Sequence, residues 1–169
     1  FDQAKAVVEP FASGDAVTLV FVDGFHSVAL SSAEAAWPKG VRLAPMSRRL
    51  AMDPEDTRPW FSAAAEASGA LHDLNTAAFR DGASIVVEDG VSAPVELRII
   101  LASTSRDQPV AQHVRNLVSV GRGARLRLTV AVIGSADARG FINNRTVISM
   151  AERSRLDLVR VHESPIGVP

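Results

Sequence analysis

The strongest constraint on this chain is a stretch of sequence that returns after 30 residues. Leu117-Val118-Ser119-Val120-Gly121-Arg122-Gly123-Ala124-Arg125-Leu126-Arg127-Leu128 lies over Val147-Ile148-Ser149-Met150-Ala151-Glu152-Arg153-Ser154-Arg155-Leu156-Asp157-Leu158. Ser119 then falls on Ser149, Arg125 on Arg155, Leu126 on Leu156 and Leu128 on Leu158. A weaker third copy runs from Ile85-Val86-Val87 through Glu88-Asp89-Gly90 to Val95-Glu96-Leu97-Arg98-Ile99. Each copy predicts a strand, a tight polar turn and an alternating strand. Leu126, Leu128 and Val130 fall on one face of that second strand, and Arg125, Arg127 and Thr129 on the other. One such unit cannot hide its apolar face alone. Stacked copies bury a continuous column, so a fixed period favours a solenoid. The turn Gly121-Arg122-Gly123-Ala124 suits a hairpin as well, so pattern alone leaves an antiparallel sandwich open.

The front of the chain has a different texture. Val17 to Val22 is β-branched and apolar, and Asp23-Gly24 after it is a strong hairpin-turn signal, which predicts a strand pair over residues 16–30. Residues 38–59 are rich in Pro and Arg, lack sustained periodicity and read as a linking segment. A helix start is expected at Pro54, after Asp53. Residues 58–79 are rich in Ala, which costs least in a helix. They predict two short helices split at Gly69, with Phe61, Ala64 and Ala65 sharing a face of the first and Leu71, Leu74 and Ala78 a face of the second. Helical periodicity stops after Asp81-Gly82. The expected organisation is a small mixed α/β region over residues 1–80 and a β-rich unit over residues 81–169.

A chain of 169 residues buries roughly 70% of the surface its unfolded form exposes, and needs no disulfide or metal to hold a core. It has no cysteine, which excludes a disulfide framework, a thiolate metal site and a cysteine nucleophile. Its net charge of -1 gives no global attraction to nucleic acid or to an anionic membrane. No apolar run approaches the roughly 18–20 residues that span a bilayer. The start, Phe1-Asp2-Gln3-Ala4-Lys5, lacks an initiator Met and the layout of a signal peptide. The chain therefore reads as a piece of a longer protein.

Few residues invite chemistry. His26, His72, His113 and His162 show no close metal-ligand spacing. His72-Asp73 reads as a surface pair on a helix, His26 as a rim residue after a hairpin turn, and His113 as a polar group bonding turn backbone. His162-Glu163 closes the last strand, where neighbours point to opposite faces, so the two cannot share a site without a bulge. Asn143-Asn144 reads as a ladder inside a stack of turns. Gly121-Arg122-Gly123 lacks the Lys-Ser/Thr of a phosphate loop and the spacing of a dinucleotide fingerprint. Ser62, Ser68 and the other serines lack a nucleophile elbow. The row Arg122, Arg125, Arg127 has no interleaved aromatics and faces Glu96, Glu152 and Asp157 on neighbouring copies, which makes it a solvated face. Asp81, Glu88 and Asp89 are placed in turns, with no second carboxylate paired to any of them. No catalytic, cofactor-binding or metal residue is assigned.

Six blocks in order carry a family resemblance. They are Leu19-Val20-Phe21-Val22-Asp23-Gly24 with Ser27 to Leu30; Pro38-Lys39-Gly40-Val41-Arg42-Leu43; Leu74-Asn75-Thr76-Ala77-Ala78-Phe79-Arg80-Asp81-Gly82; His113-Val114-Arg115-Asn116-Leu117-Val118; Gly123-Ala124-Arg125-Leu126; and Phe141-Ile142-Asn143-Asn144 leading to Arg160-Val161-His162-Glu163-Ser164. The chain resembles the SufD family of iron–sulfur cluster assembly scaffolds. The resemblance implies a mainly β fold, a right-handed parallel β-helix preceded by a mixed α/β region. It also implies a non-catalytic cytoplasmic scaffold that pairs with SufB-like and SufC-like proteins, with a homodimer as a further option. In such a complex the cluster is assembled transiently, and this part of the chain holds no cofactor. The absence of Cys favours SufD over the similar SufB. The alternative is a β-helix enzyme acting on carbohydrate or an acyl substrate, which needs a pocket lined by acidic groups or His.

Overall fold

The computed structural model describes residues 1–12, 14–63, 69–93 and 95–163. In chain order the elements are α1 (Asp2–Ala12), β1 (Val17–Val22), β2 (Phe25–His26), a 3₁₀ turn (Glu34–Ala36), β3 (Val41–Pro45), α2 (Met46–Met52), α3 (Pro54–Ala63), α4 (Ala70–Ala78), β4 (Ala83–Val87), β5 (Leu97–Ser103), β6 (Val110–Val120), β7 (Arg125–Gly134), β8 (Gly140–Met150) and β9 (Arg155–Glu163). The structure is mixed α/β, dominated by strands that form two mostly parallel sheets. One sheet runs β2-β1-β5-β7-β9 and the other β3-β4-β6-β8.

From β4 onward successive strands go alternately to the two sheets, and every pairing among β4 to β9 is parallel. The antiparallel sandwich left open by the pattern is therefore not what forms. The 30-residue shift is the hydrogen-bonded register itself. Ser119 pairs with Ser149 on β6 and β8, and Arg125, Leu126 and Leu128 pair with Arg155, Leu156 and Leu158 on β7 and β9. The third copy stacks beneath them with slightly longer shifts, Val87 on Val120 and Leu97 on Leu128. The turns stack too: Gly90 N donates to Arg122 O (2.8 Å) and Gly123 N to Glu152 O (3.0 Å).

The alternation read from β7 holds, with Leu126, Leu128 and Val130 buried and Arg125 and Arg127 exposed. The inward residues of both sheets meet in one core that includes Leu19, Phe21, Leu43, Ile85, Ile99, Val118 and Leu128. Strands from before and after residue 80 thus share both sheets and one apolar column. Each such aliphatic side chain contributes about 1.5–3 kcal/mol by leaving water. The outer face of the first sheet is covered by α1, whose Val8 packs on Val20, Ile100, Ala131 and Ile133.

The Asp23-Gly24 turn forms as expected. Both residues take positive φ, 50° and 88°, and β1 and β2 pair antiparallel. The helix start at Pro54 is also found, with Asp53 Oδ1 accepting the Asp56 N–H (3.2 Å). Residues 38–59 are not a linker, however. They hold β3, α2 and the start of α3. Their periodicity is hidden because it switches from two to 3.6 within a few residues. β3 buries Val41, Leu43 and Pro45 in alternation, and α2 buries only Met46. Gly69 does precede a separate helix, α4. The proposed face of the first helix includes Ala64 and Ala65, which lie outside the described residues, as does Ser68.

Candidate interaction surface

The stack is closed at its front and open at its back. At the front, β2 has only two residues, and the chain after it returns along β1. Ser27 N and Ser32 N donate to Val20 O and Thr18 O, while the Ser31 and Ser32 hydroxyls accept the N–H groups of Val20 and Thr18. Pro45 lies in the edge strand β3. Short strands, hydroxyl caps and Pro are the usual means of blunting a sheet edge.

At the back, β8 and β9 expose edges of 11 and 9 residues, unpaired among the described residues. Ile148, Met150 and Leu158 stand in register with Val118, Val120 and Leu128. Those lower residues are fully buried, and the upper three are exposed. The aliphatic column simply ends there. Phe141 and Val159 (55% exposed) extend the apolar surface. A long unpaired edge beside exposed apolar side chains is a template for a further strand pair.

A helical cap is fixed to the outer face of the β6–β8 sheet by polar groups. The face proposed for α4 is not the buried one. Leu71 (62%) and Leu74 are exposed, and Asn75 (0%) is buried. Asn75 Nδ2 donates to Val114 O (3.0 Å) on β6 and to Asn143 O (2.8 Å) on β8. Its Oδ1 accepts from Arg115 Nε (3.1 Å). Arg115 is 1% exposed. Its guanidinium lies 5.2 and 5.1 Å from the ring centres of Phe61 and Phe79 and donates to the Thr76 hydroxyl. Burial, with Arg145 on the next strand, pushes its pKa down to about 10. Neither Arg115 nor Asn75 is singled out by the sequence. The available signal is one Arg amid the β-branched run of β6, where an outward charge is ordinarily exposed.

Most candidate residues take structural places, several different from those expected. Of the pair His72-Asp73, Asp73 is exposed as expected, whereas His72 is partly buried, its Nε2 accepting from Arg145 Nη1 (2.6 Å). Among the described residues His113 bonds no turn backbone through its ring. It lies within β6, with Nδ1 buried and without a partner among those residues, and the ring 6.2 Å from Phe141. Asn143 and Asn144 form no ladder in a turn, because both are in β8 and point to opposite faces. Asn143 Nδ2 donates to Leu71 O, and Asn144 Oδ1 accepts from Asn116 in the core. Asp81 is buried, its carboxylate accepting Ser47 N, Ser47 Oγ and Gly82 N. Glu88 and Asp89 are exposed in a turn, where Asp89 Oδ1 accepts Arg122 N. Arg127 stands opposite Asp157, which pairs with Arg155 (3.0 Å), so the Arg row is a mixed solvated face. His162 and Glu163 end β9, both exposed.

His26 is half-buried rather than on a rim, tilted against Phe21 at 5.6 Å. Burial lowers its pKa, opposed by the charge of Asp81. Ser31 Oγ lies 3.1 Å from His26 Nε2, donates its own proton to Ser27 O (2.7 Å) and accepts from Val20 N. The contact with His26 must therefore use Nε2–H as donor. Ser31 is thus not activated as a nucleophile, since its proton goes to a carbonyl and the imidazole gives rather than takes.

Compared with known proteins, the chain matches no protein-family model and no curated relative. Among the described residues no group of His, Asp and Glu could hold a metal ion, and no helix is long and apolar enough to cross a membrane.

Proposed function

We propose that this chain is the front of a SufD-like scaffold, a right-handed parallel β-helix without catalytic activity of its own, working in the cytoplasm with SufB-like and SufC-like proteins. The observation that carries this reading is the 30-residue register of β6 on β8 and β7 on β9, which leaves two parallel edges and an unfinished aliphatic column. A unit that supplies two parallel strands at the same spacing completes both edges at once. Further copies of the same unit fit that requirement, and a stack so extended is a rigid wall on which partners assemble. The six ordered sequence blocks support the family, and the blunted front agrees with a stack that grows in one direction.

The test is co-expression of the full-length protein with SufB-like and SufC-like proteins. Stable co-purification of all three is expected. Full-length protein that stays alone would overturn the reading. The present 169 residues are expected to take up no cluster, and a stoichiometric visible chromophore after reconstitution with iron and sulfide would refute that.

A further inference from the structure

Independently of the scaffold reading, we propose that His72 is an acid-released latch that holds α4 on the β6–β8 sheet. This helix docks without a fully buried apolar anchor. Of its 9 residues only Asn75 is buried, and Leu71 and Leu74 are exposed. Polar contacts therefore hold it in place. Asn75 bonds Val114 O and Asn143 O, Asn143 Nδ2 donates to Leu71 O (2.7 Å), Arg115 donates to Thr76, and Arg145 donates to His72.

Of these contacts, only the one at His72 involves a group that titrates near neutral pH. A guanidinium keeps its protons and has no acceptor, so the 2.6 Å contact with Arg145 Nη1 requires a lone pair on His72 Nε2. The imidazole is therefore neutral in the docked helix, with its proton on Nδ1. An imidazolium has no lone pair to give. Histidine ordinarily takes that second proton between about pH 8 and 5. The titratable groups of the sheet beneath α4 are Arg145 on β8 and Arg115 and His113 on β6, and the two arginines stand in register. On α4 itself Asp73 is exposed, where a neighbouring opposite charge offsets little. A protonated His72 thus loses its contact and becomes a third cation beside two arginines. The proton binds the released helix better than the docked one, so docking is complete above this pH range and weakens as the pH falls through it.

The test is amide hydrogen exchange of the 169-residue chain, corrected for the intrinsic effect of pH, with β6 as the internal reference for α4. Between about pH 7.5 and about pH 5, the α4 amides should lose about tenfold more protection than those of β6, the effect of one hydrogen bond to a charged group. His72→Gln, whose side-chain oxygen accepts at every pH, should remove that difference. His72→Lys, cationic throughout, should release α4 already at the higher pH. His113→Gln should respond as the parent does. An α4 that loses no more protection than β6 in acid overturns the proposal. So does a pH response that survives in His72→Gln or vanishes in His113→Gln, or a His72→Lys chain whose α4 is as protected as the parent's.

Discussion

Arg115 keeps its charge in a site where, among the described residues, no carboxylate pairs with it. Two Phe rings, Asn75 and Thr76 solvate it instead. Asn75 is therefore the residue on which the docking of α4 turns. Asn75→Ala would leave Val114 O and Arg115 Nε short of partners in a buried place, a loss of about 2–3 kcal/mol. Leu71→Ala, at an exposed site, should stay within about 0.5 kcal/mol. Urea unfolding of the two variants checks this, and equal losses would refute it. His26 gives a pH dependence of definite sign. Its pKa is lower folded than unfolded, so the unfolded chain binds the extra proton first. Stability from this group is complete above about pH 6.5 and falls as the pH drops through the folded value. Melting temperatures of the parent chain should decline over that window, and His26→Phe should decline less. Parallel curves would refute the assignment.

At the scale of elements, the recurring turn sets the register. Gly90, Gly123 and Arg153 occupy its equivalent position with φ of 72°, 66° and 59°. Glycine takes this left-handed conformation freely, whereas an L side chain is strained there by roughly 1–2 kcal/mol. Part of that gain is offset by the freedom glycine has in the unfolded chain. Arg153→Gly is thus expected to stabilise by about 0.5–1 kcal/mol, and Gly123→Ala to destabilise by about 1 kcal/mol. Thermal unfolding reads both, and a destabilising Arg153→Gly would show that the side chain contributes more than its backbone costs. The Asp23 turn escapes the same penalty through its carboxylate, which accepts Thr104 N and Thr104 Oγ1 (2.9 and 2.7 Å) and ties the hairpin to the chain after β5.

For the whole molecule, the two ends of the stack decide behaviour. At the front the short β2 and the Ser31 and Ser32 bonds cover β1, and the back presents the β8 and β9 edges with Ile148, Met150 and Val159 exposed. The 169-residue chain by itself should associate through this end as its concentration rises. The double change Ile148→Glu with Val159→Glu should keep it monomeric, because charges directly against a pairing edge repel a second copy. Light scattering across a concentration series checks both statements, and a parent chain that stays monomeric throughout would count against the open end as a docking surface.

The sequence by itself determined the repeat, its register, the β7 alternation, the first hairpin turn and the α3 start. These are local or periodic properties, and a period is visible wherever side chains must alternate between core and water. Only the tertiary structure decided that β3 and α2 lie within residues 38–59, that Asn75 rather than Leu71 or Leu74 faces the sheet, and that Arg115 is buried against the stacked rings of Phe61 and Phe79. It also decided that His72 meets Arg145. Those arrangements join residues tens of positions apart, and their energy comes from polar groups satisfied across elements, for which a linear pattern carries no period.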